Sequence, residues 1–192
     1  MAPTSGEVAK NSSWDFGFSV YWYIYPNESS YLQPTATVDH GWLHLEARYN
    51  DEALQTGSIW VGWNLAWGKA LKLSLTPMVG GVFGKVNGIA PGLEWSLAWG
   101  PLQLYSENEF VIDLVKVEQS FFVAWSELSF RAFGWLHTGL ALQRTRSHAV
   151  PRVVSWGPFV GVSLWKVEVA AYWFNPGQAD AQYWAVYVGI NL

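Results

Sequence analysis

Residues 14–24 read Trp14-Asp15-Phe16-Gly17-Phe18-Ser19-Val20-Tyr21-Trp22-Tyr23-Ile24, and the alternation in this stretch decides the fold. The even positions, Trp14, Phe16, Phe18, Val20, Trp22 and Ile24, are all large and apolar. The odd positions, Asp15, Gly17, Ser19, Tyr21 and Tyr23, are polar, small or phenolic. Side chains on a strand point to opposite faces with period two, so this is a strand with one apolar and one mixed face. The pattern returns at 42–49, 58–67, 71–79 and 93–99. It also closes the chain, where Trp184, Val186, Val188, Ile190 and Leu192 oppose Tyr183, Ala185, Tyr187, Gly189 and Asn191. Weaker alternation over 31–38, 102–110, 121–128, 133–144, 153–164 and 166–174 fills the intervals. The total is about twelve strands, each near the ~9–11 residues that a tilted strand needs to cross a bilayer. No helix-period segment of useful length interrupts them.

The spacing between strands alternates as well. Short links are expected at Asp39-His40-Gly41, Gly68-Lys69, Gly100-Pro101, Leu128–Ala132 and Trp165-Lys166. Longer ones are expected at Pro26–Ser30, Asn50–Thr56, Gly84–Gly92, Val111–Gln119, Thr145–Arg152 and Asn175–Ala181. Outer-membrane barrels combine short periplasmic turns with longer outer loops, and both termini on the short-turn side require an even strand count. Trp14, Trp67, Trp99 and Trp165 cluster near the short links and are expected to form an interfacial aromatic girdle. Trp42, Trp60 and Trp135 have the parity of the mixed face and are expected to point inward.

Composition agrees with a membrane setting. Hydrophobic residues make up 51% of the chain and charged residues 14%, against about 25% charge in soluble domains. The fourteen Trp suit an interface that is apolar on one side and wet on the other. The net charge of −4 leaves no basic footprint for nucleic acid. With no Cys, disulfides and thiolate metal sites are excluded. No apolar run reaches the ~20 residues of a membrane helix. Residues 1–12 are expected to be a flexible polar segment and 13–192 a single barrel domain. The first segment has no apolar h-region of a signal peptide, so the chain is read as the mature form carrying a start Met.

Alternation alone does not say which face meets hydrocarbon. A soluble barrel or sandwich binding an apolar ligand would turn the apolar face inward. Three observations favour outward. The mixed face is rich in Gly, Ala, Ser and Tyr and too poor in charge for a solvated surface. About twelve strands enclose more space than the ~8 that side chains fill well. Nearly all strand charges lie on the mixed face, whereas a charge facing lipid at mid-bilayer costs about 2–4 kcal/mol. The expected fold is therefore all-β: a transmembrane antiparallel up-and-down barrel. Pro34, Pro77 and Pro158 are expected to mark bulges, since each removes a ladder donor. Arg144 and Arg146 share the apolar parity of Leu140 and Leu142, so they must sit above the hydrocarbon or follow a bulge.

Five stretches carry a family resemblance: Asp39–Asn64 (DHGWLHLEARYNDEALQTGSIWVGWN), Thr76–Gly92 (TPMVGGVFGKVNGIAPG), Trp125–Phe130 (WSELSF), Gln143–Arg146 (QRTR) and Trp173–Gly177 (WFNPG). The chain past Trp14 resembles a group of uncharacterised bacterial outer-membrane β-barrel proteins with no assigned activity. The resemblance implies the barrel and a place in the bacterial outer membrane, and it brings no catalytic residues. One departure is the C-terminal Leu192, where many such barrels end in Phe.

An outward apolar face places Asp15, His44, Glu46, Arg48, Lys72, Glu94, Gln103, Glu107, Glu109, Glu127, His137, Lys166 and Glu168 toward the lumen. His44, Glu46 and Arg48 lie two apart on one strand, roughly 7 Å between neighbours. The bland reading is a cross-strand ion-pair network, and the functional one is a selectivity constellation. Glu107 and Glu109 are expected to be solvated near an outer loop. His44 with Glu46 is a meagre metal cluster, because one strand cannot supply a full shell. No GxSxG and no HExxH is present, and no His shares a greasy face with a Ser, so neither catalysis nor a cofactor is expected. Two functions remain. One is a narrow channel for small solutes or ions, with an acidic, weakly cation-preferring lumen. The other is a structural or docking barrel closed by Tyr21, Tyr23, Tyr105, Trp60, Trp135 and ion pairs, with inward Gly17, Gly62, Gly80, Gly139, Gly161 and Gly189 marking close packing. The expected partners are the bilayer with its lipopolysaccharide and a small solute or ion, the barrel acting as a monomer.

Overall fold

The computed structural model describes residues 13–147 and 153–192. The N-terminal segment expected over 1–12, and the tip of the loop expected over 145–152, lie outside the described residues. Thirteen strand segments follow one another. They are β1 (Asp15–Ile24), β2 (Tyr31–His40), β3 (Leu43–Tyr49), β4 (Thr56–Trp63), β5 (Leu65–Trp67), β6 (Leu71–Gly84) and β7 (Gly88–Trp99), then β8 (Leu102–Asp113), β9 (Phe121–Arg131), β10 (Leu136–Ser147), β11 (Val153–Leu164), β12 (Val167–Phe174) and β13 (Tyr183–Asn191). A 3₁₀ turn, Val117–Gln119, sits in the connection after β8.

Apart from β4 and β5, which do not pair with each other, successive strands pair antiparallel, and β1 pairs with β13 from Gly17↔Asn191 to Ile24↔Trp184. That last ladder closes the sheet, leaving no edge strand to template aggregation. β4 and β5 both pair with β6 in one register, Gly62↔Met78 and Leu65↔Leu75, so they are one wall strand interrupted at Asn64. The wall is a closed barrel of 12 strands.

Closure turns the apolar face outward. Trp22, Ile59, Trp63, Val79, Val160 and Val188 are exposed. Their inward neighbours Tyr23, Trp60, Met78, Phe159 and Tyr187 are buried. Among the described strand residues, no Asp, Glu or Lys shares the outward face. Ser106, Asn108 and Ser126, which do, bond one another across β8 and β9, with Ser106 Oγ 2.8 Å from Ser126 Oγ and Asn108 Nδ2 donating to Ser106 Oγ at 3.0 Å. Mutual bonding removes most of the cost of polar groups in an apolar surface.

The prolines do not mark bulges. The register stays constant through Val20↔Pro34, Pro77↔Leu93 and Leu140↔Pro158. Each instead sits where the ladder to the other neighbour ends or breaks. β2–β3 pairing starts at Thr35, and β11–β12 pairing starts at Phe159. The β4/β5 interruption lies opposite Thr76 and Pro77. Pro91 repeats the device, since β7–β8 pairing skips Ala90 and Pro91. A proline lacks only the N–H that would face one side, so losing one side's bond is enough.

Several connections differ from the sequence-based expectation. Gly84–Gly92 is not a loop: β6 and β7 run on through it and turn at Lys85–Asn87, where Asn87 Nδ2 donates to Gly84 O at 2.9 Å. Glycine and proline there lowered the strand signal without preventing pairing. The short link expected at Leu128–Ala132 lies further on, between Arg131 and Leu136, because β9 keeps pairing as far as His137↔Arg131. β8 likewise continues to Asp113, past the loop start expected at Val111. Arg144 and Arg146 pair without a bulge, at Arg144↔Ala124 and Arg146↔Phe122 near the long-loop end of β10, and the Arg144 guanidinium lies 5.6 Å from the Phe122 ring centroid.

Candidate functional site: the barrel lumen

The lumen is divided lengthwise. Strands β1 and β9–β13 line one side with aromatic rings. Tyr21 lies 4.8 Å from Tyr187, Phe159 lies 4.9 Å from Tyr172, and Phe174 lies 4.8 Å from Tyr183, centroid to centroid. Tyr23 stacks on Tyr31 at 4.9 Å. Glu127 is buried on this side, but Trp125 Nε1 donates to it at 2.9 Å and Tyr172 O–H at 2.8 Å. His137 Nε2 lies 3.1 Å from Glu168 Oε1 of β12, two strands along the same side.

The other side, from β2 to β8, carries the charge. Period two on β3 sends His44, Glu46 and Arg48 inward, and all three are buried. Arg48 reaches across the interior. Its guanidinium pairs with Glu46 at 2.6 Å, Asp51 at 2.9 Å and Glu94 at 3.5 Å, and also with Glu107 and Glu109. One cation thus holds five carboxylates, three of them from β7 and β8. Glu94 and Glu107 are directly opposed across the β7–β8 ladder, an arrangement that repels unless a cation bridges it. Arg48 also lies 4.9 Å from the Trp60 ring. Trp60 is fully buried, and its Nε1 donates to Ser58 Oγ at 2.9 Å and Glu52 Oε1 at 3.2 Å. Gly80 and Gly92 make room for it: a Cβ at Gly80 would lie 2.5 Å from the indole.

Several sequence expectations change here. Glu109 is not solvated but 2% exposed, and Glu107 is half-buried, because both turn toward Arg48. Trp42 and Trp135 face outward, 51% and 49% exposed; both lie in turns, where strand parity no longer applies, and Trp42 stacks on Trp63 at 4.2 Å. Trp135 therefore closes nothing. Lys166 is exposed in the β11–β12 turn rather than in the lumen. The left-handed backbone of Trp165, φ 57°, makes the tight reversal, and Lys166 Nζ lies 5.7 Å from the Trp165 ring. Lys72 points inward near the short-turn end, half-buried, with no carboxylate partner among the described residues. Trp14, Trp67, Trp99 and Trp165 stand exposed at the short-turn end.

Three site residues were not singled out from sequence. Asp39, assigned to a turn, is the inward end of β2 and bonds His44 Nδ1 at 2.9 Å. Its parity with Gln33, Thr35 and Thr37 was the available signal. Asp51 and Glu52 belong to a connection that folds over the lumen, and period two carries no information there. Asp51 accepts from Gln33 Nε2 as well as from Arg48. Burial pushes the Asp51 carboxyl up to about 8, with the neighbouring Glu107, Glu52 and Glu46 adding to the rise and Arg48 opposing it.

Between the two sides runs a slot of about 160 Å³. Its lining runs from Gly17, Asp39 and Asn191 at the short-turn end to Gln33, Asp51 and Glu109 at the long-loop end, with Arg48 and Tyr21 also among it. A closed antiparallel barrel with an apolar exterior and a polar, side-chain-filled interior defines the class: an outer-membrane-type β-barrel.

Comparison with one solved structure agrees on the fold. The outer membrane protein Omp33 of Acinetobacter baumannii superposes with a TM-score of 0.51 at 10% identity, covering 93% of this chain and 97% of that one. OccK5 (OpdH) of Pseudomonas aeruginosa gives 0.46 at 9% identity, over 92% of this chain and 67% of that one. No family model and no curated relative matches the chain by sequence.

Proposed function

We propose that this protein is a monomeric barrel of the bacterial outer membrane that passes small cations through a narrow slot. The supporting observation is the charge balance along that slot. Asp39, Glu46, Glu94, Glu107 and Glu109 line it, Asp51 adds its charge as pH rises, and Arg48 is the one Lys or Arg among its lining residues. Carboxylates in low-dielectric walls focus a negative potential on the path, which concentrates cations and repels anions. The exposed apolar belt supplies the surface for lipid, with the long-loop end turned toward lipopolysaccharide.

Reversal potentials of the refolded barrel in planar bilayers under a KCl gradient test this reading. Current steps with cation preference are expected. Anion preference would reject the charge argument, and a folded barrel that shows no steps would reject the channel. The interlocked Tyr and Phe rings on β1 and β9–β13 favour a second reading, a closed structural barrel. Absence of current steps is the outcome that reading requires.

A further inference from the structure

The short-turn half of the carboxylate cluster contains a histidine that the ion pairs leave unsatisfied. His44 is 6% exposed, and its Nε2 is buried with no hydrogen-bond partner. The other ring nitrogen, Nδ1, lies 2.9 Å from Asp39 Oδ1. In the tautomer that donates Nδ1–H to Asp39 the Nε2 lone pair is free, the arrangement that orients histidines toward metal ions, and a metal ion displaces whatever proton Nε2 carries. That lone pair faces Glu46 Oε2 at 3.6 Å, too long for a hydrogen bond. Donor atoms of His44, Glu46 and Glu94 all lie within 4.8 Å of one another.

We propose that His44 Nε2, Glu46 and Glu94 form a lumenal binding site for a borderline divalent metal ion such as Zn²⁺, with Asp39 as the positioning residue. Two ligands each about 2.1 Å from a zinc ion lie roughly 3.4 Å apart at a tetrahedral angle, so the Nε2–Oε2 separation already suits an ion between them. Glu94 arrives from β7 across the interior, which supplies what one strand could not. Three protein ligands leave a fourth position for water. An imidazole nitrogen selects Zn²⁺ over Ca²⁺ and Mg²⁺, which require shells of oxygen. Arg48 Nη2 lies 2.6 Å from Glu46 Oε2 and 3.5 Å from Glu94 Oε1, so an entering ion displaces it toward the long-loop carboxylates that already hold its Nη1. Asp51, Glu107 and Glu109 hold its guanidinium from the long-loop side, and Glu46 has a second oxygen to offer. The ion has only to enter the lumen, not to cross it, so a barrel that conducts nothing can still bind it.

Calorimetric titration of Zn²⁺ into the refolded full chain in detergent micelles tests the site. One saturable Zn²⁺ per barrel is expected, undisturbed by excess Ca²⁺. His44→Gln and Glu94→Gln are each expected to abolish that binding, and Asp39→Asn to weaken it roughly 10- to 100-fold. No saturable binding, or undiminished binding in both ligand variants, overturns the proposal. Because buried variants can fail to fold, the wild-type complex is also read by zinc-edge X-ray absorption. One imidazole nitrogen with oxygen ligands is expected; two or more imidazoles overturn the site.

Discussion

At the scale of single residues, the lumen is organised by one tryptophan and one arginine that lock each other in place. Trp60 lies over Gly80 and Gly92, bonds Ser58 and Glu52, and flanks Arg48. Trp60→Ala removes a fully buried indole, and losses of about 3–5 kcal/mol are usual for such truncations. Denaturant unfolding of the refolded variant is expected to show that loss, and single-channel recording a larger unit current, because the cavity opens beside the slot. Asp51 supplies a pH dependence. Its carboxyl is raised to about 8 in the folded barrel, above its value in the unfolded chain. Folding therefore takes up a proton between the two values, and stability falls as pH rises through that window. Ionisation of Asp51 adds negative charge to the slot, so cation preference is expected to rise from pH 6 to pH 9; Asp51→Asn is expected to flatten both trends.

At the scale of strands, period two assigns each residue to lipid or lumen, and the two faces tolerate opposite substitutions. Val160, in the middle of β11, is 50% exposed and pairs with Thr138 and Ala171. Val160→Arg is expected to destabilise the barrel in phospholipid vesicles by about 2–4 kcal/mol, the cost of an arginine at mid-bilayer. Leu114→Arg, in the exposed connection after β8, is expected to cost little. The reverse result would mean that β11 does not face hydrocarbon. Strand alternation was legible from sequence because it depends on neighbours one residue away. Boundaries were less legible: Gly88-Ile89-Ala90-Pro91-Gly92 has the composition of a turn yet is part of β7. Its neighbours β6 and β8 override its low intrinsic preference, which is a tertiary effect.

At the scale of the molecule, the barrel inverts the arrangement of a soluble protein, with aromatic surface outside and charge inside. Tryptophan fluorescence separates the two populations. In vesicles containing brominated lipid, the outward Trp22, Trp63 and Trp184 are expected to be quenched, while Trp60 is shielded by the wall. Variants that retain a single tryptophan report each position. Unquenched Trp22 or Trp63 would remove the hydrocarbon contact on which the membrane reading rests.

By itself the sequence determined the class of fold, the approximate strand count, which face meets lipid and most of the strand charges that turn inward. All of these follow from alternation, a local property written into consecutive residues. Only the tertiary structure decided which inward groups meet. Arg48 and Glu109 come together through the closure of the sheet and the positions of β3 and β8 around it. The same closure brings Glu94 beside His44, folds Asp51 over the lumen and leaves a slot between the aromatic and acidic walls. Contacts across a barrel depend on circumference, register and side-chain reach together, and no short stretch of chain contains all three.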